Sequence, residues 1–301
     1  MTEIVIGTRS LRIKDYYCAA FEDEPIPRTD HRLWLYVHIT DMCNAKCPFC
    51  VNPSGPDREN SFSTAAFRQQ LERVSPYVYG VSITGGEPML YPQLVDEAAL
   101  AVTDIMGTDV ELDLVTNGTK WNEIPQLKML DRFESIHISR HRTDDEGNAL
   151  LMGAKTPTIQ EIKELVSMLD DPAKVVLNCV MQKNGVSSAS EMADYLEMAA
   201  WAGVRNTSFV GFFLANQFCK DNYISPASID LSHDNRFRVW NRFHDYDYCS
   251  CSSGDYIAKQ GIVRFYYRCP GKSRASYCRQ LVYSADNKLL DGFGGREITF
   301  S

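Results

Sequence analysis

The sequence lacks an apolar run of the roughly 20 residues that a membrane span requires. Its opening, MTEIVIGTRSLRIKD, lacks the apolar core of a secretory signal. A cytoplasmic protein, with no membrane partner, is the expectation. Positive charge is in deficit as well: 31 Lys and Arg stand against 39 Asp and Glu, a net charge of −8. That disfavours the extended basic footprint of a DNA- or RNA-binding protein, although a local basic pocket is compatible with it. Short-period repeats and low-complexity tracts are missing too. What remains is a chain of 301 residues, 44% hydrophobic, long enough for one large α/β domain with an appendage.

Cysteine is not scarce. Ten cysteines in a reducing compartment point to metal ligation or redox chemistry rather than to a disulfide framework. Cys18, Cys179 and Cys219 stand alone and read as small buried apolar side chains. Cys43, Cys47 and Cys50 do not: they fall within CNAKCPFC. A structural zinc site wants four ligands, and no fourth Cys or His is near. Three thiolates can instead hold three irons of a [4Fe–4S] cluster and leave the fourth iron open. The alternatives are a zinc loop completed from a distance, or buried thiols.

Along the chain, short β-rich runs alternate with helical spacing. Strands are expected over 33–40, 80–84, 110–118, 135–139, 174–181 and 207–213. Helices are expected over 63–74, 93–105, near 123–131, 158–169 and 188–203. Six β/α units imply a parallel sheet curled into a partial (β/α)6 TIM-type barrel, with functional groups at the C-terminal strand ends. Residues 1–30 read as an N-terminal extension and 31–219 as the barrel. Residues 220–301 read as a cysteine-rich, β-containing appendage, with strands at GIVRFYYR and RQLVYSADNKLL.

The Cx3CxxC loop after the first strand, Phe49 before its last cysteine, and GGEP after the second strand together resemble the radical S-adenosylmethionine (SAM) superfamily. The resemblance implies that Cys43, Cys47 and Cys50 bind a [4Fe–4S] cluster whose open iron is chelated by SAM. It implies that Gly85, Gly86, Glu87 and Pro88 bind the SAM amino group. The glycines would permit close backbone approach, and the Glu87 carboxylate would face the open iron. Asn117, Ser139 and Asn178, at later strand ends, would contact the SAM carboxylate or ribose, or else cap turns. The implied activity is reductive cleavage of SAM to a 5′-deoxyadenosyl radical, which abstracts hydrogen from a small-molecule substrate: a nucleoside, sugar or amino-acid derivative. A flavodoxin- or ferredoxin-type electron donor follows from the same chemistry.

Longer stretches, LYVHITDMCNAKCPFC and CRQLVYSADNKL among them, resemble the GTP 3′,8-cyclase family of molybdenum-cofactor biosynthesis. That family carries a second cluster on three cysteines. In register with Cys278, two of those positions are Ala275 and Gly292, so a relative with an altered substrate is expected. Cys249, Cys251, Cys269 and Cys278 are candidates for a second [4Fe–4S] cluster in rearranged form, or are scattered structural thiols. In SRHRTDDEGNALLMG, His141 (expected to titrate near neutral pH), Arg142 and Asp144 are substrate candidates; so are Arg264 and Arg268. Each has the competing reading of a solvated charge. About 30 residues precede the first strand, too few for the recognition domain common in peptide maturases; a maturase is the runner-up, and a metal-binding scaffold without catalysis the third reading.

Overall fold

A computed structural model describes residues 2–13, 31–52, 54–225, 228–241, 252–268, 278 and 280–300. Two strands, β1 (Thr2–Ile6) and β2 (Arg9–Ile13), form an antiparallel hairpin. The alternating β/α series then begins with β3 (Leu33–His38), α1 (Thr64–Val74), β4 (Val78–Thr84), α2 (Pro92–Met106) and β5 (Glu111–Thr116). It continues with β6 (Ser135–Ser139), α3 (Asp145–Met152), α4 (Ile159–Met168), β7 (Val175–Val180), α5 (Ala189–Trp201) and β8 (Asn206–Val210). A short helix α6 (Gln217–Asp221) leads to β9 (Phe237–Asn241), β10 (Ser252–Ala258), β11 (Gly261–Arg268), β12 (Gln280–Tyr283) and β13 (Leu289–Leu290).

Helix starts follow local capping chemistry. Ser63 accepts from the Ala66 amide at α1, and Thr158 forms a reciprocal capping box with Glu161 at α4. Ser188 caps α5 by accepting from the Glu191 amide. The turn after β5 is 3₁₀ (121–126 and 130–132) because Pro125 interrupts it.

The main sheet is mixed α/β in context and a partial barrel in form, with strand order β13-β12-β3-β4-β5-β6-β7-β8-β11-β10-β9. The six expected strands run parallel and in sequence. The C-terminal region then adds one parallel strand to each edge: β11 beside β8 and β12 beside β3. The parallel run is therefore eight strands wide, not six. Sequence spacing could not show this, because no βα pattern precedes either added strand.

Register sorts the side chains into two faces. Leu33, Leu35, Val37, Val81, Ile83, Leu112, Leu114, Ile136, Ile138, Leu177 and Phe209 share one face, all fully buried against the helices. Trp34, Tyr36, His38, Ser82, Asp113, Ser135, His137, Ser139, Asn178 and Ser208 share the other. Parallel strands are normally apolar on both faces. A polar second face is the lining of a lumen, and much of it is internally paired. Trp34 Nε1 donates to Ser82 Oγ (2.8 Å). Ser135 Oγ donates to Asp113 Oδ1 (2.6 Å) and lies 2.7 Å from His137 Nε2, whose Nδ1 is 3.1 Å from Asn178 Oδ1.

Arg140, just past β6, is only 1% exposed. Its guanidinium donates to the Pro157 and Thr143 carbonyls and to Asp145 Oδ1 (2.8 Å). It ties α3 to the start of α4. Arg140→Ala is expected to destabilise the protein by about 2–4 kcal/mol through lost packing and orphaned acceptors, read as a lower urea midpoint; an unchanged midpoint would contradict this role.

Candidate functional site

The cysteine loop leaves β3 and is held from two sides. On one side it is stitched to the turn after β4. The Ile39 amide donates to Thr84 O (3.1 Å), the Gly86 amide to Thr40 O (2.6 Å) and the Glu87 amide to Met42 O (2.8 Å). Asn52 Nδ2 reaches Gly85 O (3.1 Å), and the Cys43 amide donates to Gly55 O (3.1 Å). Glycine is obligatory at both positions of the turn. Gly85 has φ +139°, and a Cβ there would strike Thr40 O; a Cβ on Gly86 would strike Met42 O. The close approach these glycines permit is to the cysteine loop's own backbone, where the sequence reading expected it to be to SAM.

On the other side lies α3. The Lys46 amide donates to Met152 O (2.8 Å), and Cys47 Sγ lies 3.8 Å from the same carbonyl. Phe49 packs its ring edge-on to His141 (centroids 4.9 Å) and against Phe212 and Phe218. Asn216, capping α6, donates to Pro48 O (2.9 Å).

The structure corrects the reading of Glu87. Its carboxylate is completely buried and turned inward. It accepts from the Met89 amide (2.9 Å), Thr116 Oγ1 (2.6 Å) and the Asn117 amide (2.6 Å). Glu87 thereby locks the turn after β4 to the end of β5. Asn117 in turn donates to Asn44 Oδ1 (2.8 Å) and points its amide nitrogen at Cys43 Sγ (4.0 Å). Pro88 opens the turn Pro88–Leu90 and is buried. Ser139 and Asn178 are register partners on the lumen face.

His141 also differs from expectation. It is 3% exposed, and burial followed by the nearby Arg140 charge pushes it down to about 3, so it is neutral at physiological pH. Its Nδ1 accepts from the Val180 amide (3.0 Å), which makes it a brace between strand ends. Asp144 caps α3 by accepting from the Gly147 amide (2.6 Å) and pairs with Arg142 (3.0 Å). Arg264 lies opposite Asp255 across the β10–β11 pair. Arg268 ends β11, and its side chain lies outside what the structure describes, as do Cys18, Cys249, Cys251 and Cys269. Cys278 is half-buried beside the Gln280 and Asp291 carbonyls. Cys179 and Cys219 are buried, as read from their isolation.

Sequence reasoning missed Thr116, Asn44, Asn52 and all of α3. Thr116 and Asn44 adjoin recognised residues, but nothing in their spacing reveals the partners. The signal for α3 was present, with Asp144 as cap and Gly153 as stop around ALLM.

Burial, and then the Cys50 and Cys43 thiolates, push Cys47 up to about 12; burial raises Cys43 as well. Among the described residues, no three His, Cys, Asp or Glu side chains converge on a point that one ion could occupy. A four-iron cube takes each thiolate at a different corner, so the donor set fits a cluster better than a single zinc.

The parallel sheet thus carries three cysteines on the loop after β3, knitted to a Gly-Gly-Glu turn after β4. Residues 37–184 match the model of the Radical SAM superfamily. The chain is 27% identical over 189 residues to the PqqA peptide cyclase of Gluconobacter oxydans, covering 61% of this chain and 51% of that protein. It is 30% identical over 179 residues to a probable GTP 3′,8-cyclase of Halobacterium salinarum, covering 56% and 48%. The chain thus spans about half the length of these relatives. In fold it is similar to Streptococcus suis SuiB bound to S-adenosylmethionine (TM-score 0.58, 16% identity, 87% of this chain and 60% of that one). The likeness to SuiB bound to the precursor peptide SuiA is of the same order (TM-score 0.57, 15% identity, 87% and 60%). The superfamily uses a [4Fe–4S] cluster and SAM. No helix among the described residues is long and apolar enough to cross a membrane.

Two outcomes follow for this turn. Gly86→Ala should cost about 1–3 kcal/mol of backbone strain and impair cluster loading; a variant that loads iron normally at wild-type stability would contradict the tight approach. Glu87→Gln places an amide donor against one of three donors and should cost about 1–3 kcal/mol. Burial holds the Glu87 carboxyl at about 7, above its ordinary 4.5. The folded state therefore keeps a proton that the unfolded chain has lost. That contribution is full below about 4.5 and is lost as pH rises to about 7. Urea midpoints across pH 4.5–8 should show a decline in the wild type that is reduced in Glu87→Gln; parallel curves would contradict the assignment.

Proposed function

We propose that this chain is a radical SAM enzyme. The observation that carries the reading is the joint between the cysteine loop and the Gly85-Gly86-Glu87 turn, which sets Cys43 beside Asn117 at the lumen mouth. Cys43, Cys47 and Cys50 would hold the cluster. A bound [4Fe–4S] cluster and SAM together supply one-electron cleavage to a 5′-deoxyadenosyl radical, the hard chemistry of the reaction. The chain's own contribution is binding, orientation and exclusion of water. Phe49, His141, Phe212 and Phe218 form an aromatic wall beside the thiolates, which lowers solvent access. Gly85, Gly86, Asn117, Ser139 and Asn178 line the adjoining strand ends and are the residues to hold SAM. The lumen face would hold the substrate carbon in reach.

We assign 31–219 the cofactors, and 220–301 the closing of the lumen and a second cluster that includes Cys278. The electron donor would be a flavodoxin- or ferredoxin-type protein. A small molecule is the first substrate reading. A peptide is the second, favoured by the PqqA peptide cyclase relationship and by a likeness to SuiB that extends well beyond the barrel.

The test is anaerobic reconstitution with iron and sulfide, then reductant and SAM. Wild type should form 5′-deoxyadenosine; the Cys43/Cys47/Cys50→Ala variant should form none while keeping its far-ultraviolet circular dichroism. Product from the triple variant, or metal binding without SAM cleavage in wild type, would overturn the reading. With two clusters, iron should fall from about eight to about four per chain in that variant; complete loss of cluster absorbance would remove the second cluster.

A further inference from the structure

Among the described residues, two polar atoms on the lumen face of the sheet have no hydrogen-bond partner. His38 Nε2 and Ser208 Oγ are both buried, with residue exposures of 6% and 0%. They belong to β3 and β8, the first and last strands of the six-strand run. His38 is the register partner of Thr84; Ser208 sits between Asn178 and Tyr266. An orphaned buried donor or acceptor costs about 1–3 kcal/mol, so such atoms mark positions where a bound molecule completes the bond.

Their surroundings limit what that molecule is. Burial pushes His38 down to about 4, so its ring is neutral at physiological pH. The charged groups of the lumen face have partners of their own: Asp113 accepts from Ser135 Oγ, and Arg264 lies across from Asp255. A neutral imidazole and a hydroxyl can each donate or accept. They suit a group that presents both a carbonyl and an N–H. The cover is aromatic. Phe293 lies 5.1 Å from Tyr36, 5.7 Å from His38 and 6.3 Å from Phe213, ring centre to ring centre. It therefore spans from β3 to the segment just beyond β8. Phe293 rides on the loop Asp291–Arg296, where Gly292 and Gly294 take φ of +140° and +63°. Asp291 anchors the base of that loop, pairing with Arg9 (3.1 Å) and accepting from the Arg296 amide (2.6 Å).

We infer that the lumen face binds uncharged amide groups of the substrate, one through His38 Nε2 on β3 beneath the Phe293 ring and one through Ser208 Oγ on β8. The inference rests on the radical SAM reading, with the lumen as its substrate chamber. Such an amide has two sources: a peptide, or the lactam edge of a nucleobase.

The experiment is equilibrium dialysis on the reconstituted full chain with SAM and no reductant. The probes are N-acetylalanine methylamide, uridine and, as a charged comparator, succinate. At least one amide probe should bind, and succinate should bind about tenfold more weakly or worse. Preference for the methylamide identifies a peptide source, and preference for uridine a base. Ser208→Ala and His38→Phe should each weaken the preferred probe by about five- to tenfold, the loss of one hydrogen bond. Ser208→Ala should leave the melting temperature of the probe-free protein unchanged or raised, because it deletes an unpaired hydroxyl. The inference is overturned by absence of amide binding, by equal binding of succinate, by unchanged affinity in both variants, or by a melting temperature lowered in Ser208→Ala. Wild-type 5′-deoxyadenosine formation on the same preparation separates the failures. If product forms and the probes fail, only the amide site is lost; if no product forms, the underlying reading is lost too.

Discussion

Everything at the mouth of this barrel depends on one backbone joint. Three amide-to-carbonyl bonds join the end of β4 and the turn after it to the chain leaving β3, and two glycines make the approach possible. The Glu87 side chain extends the joint to a third strand by gathering donors from Met89, Thr116 and Asn117. Burying a carboxylate is costly unless its lone pairs are filled. Here the hydrogen bonds oppose a desolvation that still prevails, and the group is held well above its ordinary range. The result is a rigid floor from which the cysteine loop projects, with Asn117 already aimed at the first thiolate.

The sheet extends that logic to the whole molecule. Its apolar face is sealed against helices, and its polar face lines the inside of the partial barrel. The C-terminal region serves the same end, adding a parallel strand at each edge and laying Phe293 across from β3 toward the end of β8. The β1–β2 hairpin is bound to that C-terminal segment through the Thr8 amide and Thr299 O (2.8 Å), and through the Cys278 amide and Arg12 O (2.6 Å). The two chain ends thus support one wall of the lumen together.

Much of this was legible in the sequence. Strand periods located all six strands of the run, because each buries an apolar face with its own repeat, and helix periods located α1, α2, α4 and α5. CNAKCPFC and GGEP marked the cysteine loop and the turn that the structure joins to it. The direction of individual side chains was not legible. Glu87 reads as an outward carboxylate until its three donors are known, and two of them belong to residues about 30 positions away. His141 reads as a titrating group until its burial is seen. The edge strands β11 and β12 were found as strands, but their partners lie more than 50 and more than 240 residues away. The β1–β2 hairpin passed unnoticed although Gly7-Thr8 separates two alternating runs, the usual short-hairpin signal.

The central claim is that three thiolates leave one iron corner open beside the Gly-Gly-Glu turn, for the amine and carboxylate of SAM. Electron–nuclear double resonance of the reduced cluster with SAM carrying nitrogen-15 in its amino group tests it most directly. The account predicts a nitrogen-15 coupling to the cluster that is absent with unlabelled cofactor. A reduced cluster that binds the labelled SAM yet shows no such coupling would contradict it.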